Sequence, residues 1–202
     1  MTPEDVATFE RCIAVGGVAL FPADTVYGLA TDPASREGVD RLYRIKRRRP
    51  DRPAAVMFFD LELALAALPE LGERTRTAIE RLLPGPVTLV LPNPERRYPL
   101  ACGPVPERIG VRVPLLAGAL EPLAAARWPV LQSSANPSGG ADVRRLDDVA
   151  PGIRSRVDMQ LDGGELPGTP STVVDLGAYE ETGDYRVLRE GAVAAVDVAA
   201  LL

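Results

Sequence analysis

Apolar residues along the chain change their spacing repeatedly, and each change marks a predicted element. Thr2 is a good N-cap, Pro3 fits the first helical position, and Glu4 and Asp5 suit the positive end of a helix that should stop at Gly16-Gly17. The short run VALF, 18–21, reads as a buried strand, after which PADTVYGLA turns and continues extended through Tyr27. Ser35 caps a helix through about Lys46, with Val39, Leu42, Tyr43 and Ile45 as its apolar positions. AAVMFF, 54–59, reads as a central strand, followed by helices over 61–68 and 74–83 that stop at Pro84-Gly85-Pro86. VTLVL, 87–91, is a strand; a Pro/Gly-rich loop, 92–106, leads to the strand IGVRVP. A helix is predicted over 115–127, a strand at PVLQSS, a loop at ANPSGG and a weak helix over 147–156. VDMQLDGG, STVVDL and YRVLREG read as further strands, and a short helix ends the chain. Helices and strands alternate without a repeat or a linker. The fold class expected over 1–202 is therefore a single α/β domain, an open twisted sheet flanked by helices.

Composition narrows the chemistry. The chain has 202 residues and no histidine, which removes Ser-His-Asp and Cys-His nucleophiles, histidine general bases and the usual zinc sites. Cys12 and Cys102 have no metal-ligand spacing and are expected as free thiols in a reducing compartment. No apolar run has the length of a bilayer span, and the N-terminal segment is polar and acidic, so a cytoplasmic protein without membrane attachment is expected.

Charge is distributed unevenly. The formal net charge is −5, yet seven cations fall between Arg41 and Arg52, opposed only by Asp51. Pro50 and Pro53 make the centre of that run, KRRRPDRP, a loop. A solvated basic face, an RNA-backbone track and a phosphate site all fit such a run taken alone. Four other segments carry polar groups suited to ligands. FPADTVYGLA offers Asp24, Thr25 and Tyr27 at a turn beside Gly28. VLQSSANPSGG presents Ser133, Ser134, Asn136 and Ser138 ahead of glycines. Arg112 and Arg189 lie among apolar strand residues, where an unpaired guanidinium is costly, and Arg112 therefore wants a carboxylate from the protein or from a ligand. Ser171 and Thr172 open an apolar strand.

Taken in order, FPADTVYGLA, KRRRPDRP, PGPVTLVL, GVRVP, SSANPSG, STVVDL and LREG resemble the YrdC-like family, the threonylcarbamoyl-AMP synthases, from about Val18 to Gly191. The family's KxR and SxN signatures correspond to Lys46/Arg48 and Ser134/Asn136. This chain departs from the pattern at Ala23, in the arginines that follow Lys46, and at Met57, which stands where a histidine is frequent. The resemblance implies a mostly parallel α/β sheet around a concave basic cavity, in the short single-domain form of the family. It implies condensation of L-threonine, bicarbonate and ATP into threonylcarbamoyl-adenylate and pyrophosphate, with Mg²⁺ accompanying ATP. The product would pass to the transferase proteins that complete the tRNA t6A modification, with tRNA or double-stranded RNA contact as a further implied partner. Residue by residue, it implies Lys46 and Arg48 as catalytic. It places ATP on Lys46, Arg48, Arg52, Arg108, Ser134, Asn136 and Arg189, and threonine on Thr25, Met57, Arg112 and Ser171. A YrdC-like nucleotide- or RNA-binding domain without synthase activity is the alternative.

Overall fold

The computed structural model describes all residues, 1–202. The Thr2 cap forms as its sequence predicts. Its side chain accepts the Asp5 N–H (3.2 Å) while the Asp5 carboxylate accepts the Thr2 N–H (2.7 Å), starting α1 (Pro3–Ala14). The remaining helices are α2 (Arg36–Lys46), α3 (Leu61–Ala67), α4 (Glu73–Leu82), α5 (Pro99–Cys102), α6 (Pro151–Arg154), α7 (Tyr179–Thr182) and α8 (Ala195–Leu201). Nine strands, β1 (Ala19–Pro22), β2 (Tyr27–Thr31), β3 (Ala55–Met57), β4 (Val87–Pro92), β5 (Arg108–Arg112), β6 (Val130–Ser134), β7 (Met159–Gln160), β8 (Thr172–Ala178) and β9 (Asp184–Arg189), form one sheet. Its order is β7-β1-β2-β6-β3-β5-β4-β8-β9.

Three sequence expectations change. The sheet is mixed rather than mostly parallel: only β1–β7, β3–β5 and β4–β8 are parallel neighbours. Short links explain part of this, because β1 reaches β2 through Ala23–Val26 alone and β8 reaches β9 through α7, and connections that short return the chain antiparallel. The helix predicted over 115–127 is a 3₁₀ segment, Gly118–Ala125; Pro122 lies inside it, lacks an N–H and would clash with the preceding turn of an α-helix. The strand expected at VDMQLDGG shrinks to Met159–Gln160, and 161–170 runs on as irregular chain.

The two faces of the sheet are buried differently. On one, Leu20, Leu29, Val56, Leu89, Val111, Leu131 and Val174 join a core of 36 buried residues that includes Leu42 and Ile45 of α2 and Ile79 and Leu82 of α4. On the other, Phe21, Ala30, Met57 and Val130 pack with Phe9 and Ile13 of α1 and Leu123 of the 3₁₀ segment, in a separate cluster of 13. That second cover stops partway across the sheet. Beyond it the strand positions of the same face are small or polar — Ala55, Gly110, Thr88, Gln132, Asp175 — and line a cavity. No helix is long and apolar enough to cross a membrane.

Candidate active site

The cavity holds about 570 Å³, within the ~300–1,000 Å³ usual for small-molecule sites. Its floor is the uncovered sheet face; its walls come from the loops before β3 and β5 and from β9. Two charged clusters lie along the strand direction. They are built on Arg108 and Arg112 of β5, whose Cα atoms are about 13 Å apart at ~3.3 Å per residue.

At the first, the Arg112 guanidinium donates to Asp24 Oδ1 (2.6 Å) and reaches Thr25 Oγ1 (3.3 Å); the Leu115 N–H donates to Asp24 Oδ2 (3.1 Å). The pair is almost sealed, with the side chains 4% and 5% exposed. Burial raises the Asp24 carboxyl, an effect opposed by Arg112 and the Leu115 N–H. The carboxylate that an arginine on an apolar strand wants is thus supplied from within the chain. Ser171 Oγ shares a hydrogen bond with Thr88 Oγ1 (2.8 Å), and Arg189 donates to the Ser171 carbonyl (2.7 Å). The Thr25 carbonyl accepts the Gly168 N–H (2.9 Å), so the 161–170 segment is tied down beside it. Tyr27 adds a second tie. Its hydroxyl donates to Asp162 (2.8 Å) and accepts the Gly163 N–H (3.0 Å), and burial with Asp162 nearby pushes it up to about 12.

At the second, Arg108 pairs with Asp175 Oδ1, while Arg186 donates to Asp175 Oδ2 (3.0 Å) and the Gly177 N–H to Oδ1 (2.8 Å). Burial works against the Asp175 carboxylate, but these donors outweigh it and hold its carboxyl below the usual range. A bulge where β8 meets β9 brings Leu188 and Arg189, neighbours in sequence, to the cavity together with Arg186.

The KxR and SxN segments, 88 residues apart, meet through Lys46, the chain's only lysine. Lys46 is 1% exposed, and its ammonium donates to the carbonyls of Ser134 and Asn136 (2.7 Å to Asn136) and to Asn136 Oδ1 (3.1 Å). Ser134 Oγ donates to the same Oδ1 (2.7 Å), and Asn136 Nδ2 to the Gly140 carbonyl (2.5 Å). Burial, then repulsion from Arg48, pulls Lys46 down to about 8 against the attraction of Asp142. Three N–H groups with three protein acceptors leave no free donor for a phosphate, so Lys46 secures the SSAN loop from behind. Arg47, left-handed at φ 52°, ends α2 and turns the chain so that Arg48 lines the cavity. Arg48 donates to the Pro53 carbonyl (2.6 Å) and lies 5.7 Å from the Tyr43 ring centroid.

The structure therefore brings Thr25, Arg48, Arg108, Arg112, Ser134, Ser171 and Arg189 to one cavity, with Lys46 and Asn136 buried behind its wall. Two expected residues lie elsewhere. Arg52 is exposed outside the lining, its carbonyl accepting the Tyr43 hydroxyl (2.6 Å). Met57, on the same sheet face as Ala55, is fully buried in the aromatic cluster beneath α1. Sequence reasoning missed Asp175 and Arg186. The signal for Asp175 was the one used for Arg112: an ionic residue within an apolar strand needs a partner.

The chain holds five buried side-chain polar atoms without a hydrogen-bond partner, and three of them are the Nε of Arg48, Arg108 and Arg112, all on this cavity. Buried orphan donors are rare, and each costs ~1–3 kcal/mol. Five arginines line the cavity, Arg48, Arg108, Arg112, Arg186 and Arg189, together with two carboxylates, Asp142 and Asp175.

Comparison with known proteins agrees on one family. The Sua5/YciO/YrdC family model, described as "Telomere recombination", matches residues 11–191. A threonylcarbamoyl-AMP synthase of Pyrococcus abyssi is 32% identical over 165 residues, 81% of this chain and 48% of that protein. One from Hahella chejuensis is 32% identical over 162 residues, 79% of this chain and 87% of that protein. The chain thus spans about half the length of the Pyrococcus relative and most of the Hahella one. The crystal structure of P. abyssi Sua5 complexed with L-threonine superposes with a TM-score of 0.84 at 28% identity, covering 100% of this chain and 58% of that one. Escherichia coli YciO superposes at 0.75 with 25% identity, covering 96% and 92%.

Proposed function

This chain belongs to the Sua5/YciO/YrdC family, and on that premise we propose that it is a cytoplasmic L-threonylcarbamoyladenylate synthase, a nucleotidyltransferase. Threonine's amine forms a C–N bond to bicarbonate with loss of water. An oxygen of the resulting carbamate attacks the α-phosphorus of ATP, the α–β P–O bond breaks, and pyrophosphate leaves. The adenylate then supplies the transferase proteins of tRNA t6A formation.

The observation that carries this reading is the placement of five arginines, Arg48, Arg108, Arg112, Arg186 and Arg189, on the lining of a single cavity that also holds two arginine–aspartate clusters. The reaction joins two anions and moves negative charge onto a leaving group, so positioning and fixed positive charge supply most of what it needs. A histidine-free site suffices for this. In this reading Arg112, Thr25 and Ser171 receive threonine, the first pairing its carboxylate. Arg48, Arg108 and Arg189 receive the nucleotide, with Ser134 and Asn136 shaped by Lys46. Mg²⁺ enters as part of the substrate MgATP.

The test is direct. Purified protein is supplied with ATP, threonine and bicarbonate, and the adenylate and pyrophosphate are measured. Product that requires all three is expected; nucleotide binding without threonine- and bicarbonate-dependent product would remove the synthase reading.

A further inference from the structure

We propose that Arg186 is a substrate-contacting residue and that Asp175 is the positioning residue that presents Arg186 and Arg108 side by side to phosphoryl oxygens of the nucleotide. The proposal deepens the synthase reading and rests on it for the identity of the nucleotide. The geometry is specific. Asp175 lies directly opposite Arg186 across the β8–β9 pair, and its buried carboxylate takes one guanidinium on each oxygen. One negative charge thus holds two positive ones, leaving a net positive charge at that end of the cavity. The Arg108 side chain is 35% exposed and the Arg186 side chain 73%, so both can present donors to a ligand.

An ordinary edge-strand salt bridge would need only one arginine, and exposed pairs of that kind contribute little to stability. A carboxylate shared between two arginines on a concave wall instead fixes the spacing of two forks that match phosphoryl oxygens. Those oxygens come from two sources in this reaction: the α-phosphate that stays on the adenylate, and the pyrophosphate that leaves.

The experiment measures binding of AMP and of inorganic pyrophosphate by calorimetry to the wild type, Arg186→Gln, Arg186→Lys and Asp175→Asn. Arg186→Gln is expected to weaken one of the two ligands about tenfold, with partial recovery in Arg186→Lys. Selective loss of pyrophosphate assigns the pair to the leaving group; selective loss of AMP assigns it to the α-phosphate. Asp175→Asn separates positioning from plain electrostatics. Deleting a negative charge beside an anion site should tighten binding by Coulomb attraction alone, whereas a residue that positions two arginines weakens it when lost.

Unchanged affinities in Arg186→Gln, or tighter binding in Asp175→Asn, would overturn the proposal. So would a wild type that binds neither ligand. The exposed Arg186 position keeps the test usable if Asp175→Asn unfolds. Since these are binding measurements, a chain that grips phosphate through Arg186 yet makes no adenylate would sink the synthase reading and leave this assignment standing.

Discussion

Removing Asp24 exposes the logic of the Arg112 cluster. The Arg112–Asp24 pair is bonded at 2.6 Å with both side chains about 95% sealed from water, and the second Asp24 oxygen holds the Leu115 N–H at 3.1 Å. Asp24→Ala leaves a buried guanidinium whose Nε already lacks a partner and which keeps only the Thr25 hydroxyl. Breaking a buried ion pair from one side costs about 3–5 kcal/mol. That is a large part of the ~5–15 kcal/mol by which native domains are stable. Removing both ions is far less costly, because no charge remains to be solvated, so the double variant Asp24→Ala/Arg112→Met is expected to recover most of the loss. Urea unfolding followed by circular dichroism gives all four corners of the cycle. If Asp24→Ala costs less than about 1 kcal/mol, or the double variant loses the sum of the two single losses, the buried-pair reasoning is wrong. The single variant is also expected to raise KM for threonine, because Asp24 orients the Arg112 and Thr25 groups proposed to receive it.

Three further outcomes are expected. Lys46 should add stability as pH rises from about 8 toward 10. Lys46 is pulled down to about 8, so between there and its unfolded value near 10.5 the unfolded chain binds more protons and stability rises, by up to about 3 kcal/mol; above pH 10 the raised Tyr27 reverses the trend. Alkaline melting curves of Lys46→Met, lacking the rise, would check the assignment. Gly110 faces the cavity between Arg108 and Arg112, and a Cβ there would sit at an ordinary 3.4 Å from Ala55 Cα. Gly110→Leu should therefore fill the site, lowering kcat/KM at least ~100-fold, equivalent to about 2.7 kcal/mol, with little loss of melting temperature. Arg48→Ala should remove a comparable share of kcat/KM, while retained activity would show that the basic loop takes no part in the chemistry.

Local elements were legible where a local signal exists. The Thr2 capping box, the Ser35 cap and the apolar stripe of α2 come from residues within a turn of one another, and they form as read. Strand neighbours are set by pairings across the whole chain. No sequence window states that β6 inserts between β2 and β3 or that part of one sheet face stays uncovered. The same limit explains the site. Arg112 was noticeable as a charge on an apolar strand, and Asp175 carried the identical signal in STVVDL. Arg186 carried it too, in the same strand as Arg189, but that both reach the cavity depends on register and a bulge with β8. Lys46 was legible as a site residue, but its role turns on burial: a solvent-facing lysine and one locked behind the SSAN loop read alike in sequence.

That locked lysine has a consequence for chemical self-protection. Threonylcarbamoyl-adenylate, the product proposed here, is a mixed anhydride whose carbonyl carbon is attacked readily by free amines. The chain has one side-chain amine, and it is engaged by three acceptors out of reach. Every cation lining the cavity is a guanidinium, permanently protonated and non-nucleophilic. The site can therefore be strongly charged and chemically inert together, so that the activated carbamoyl group meets no amine side chain before it leaves.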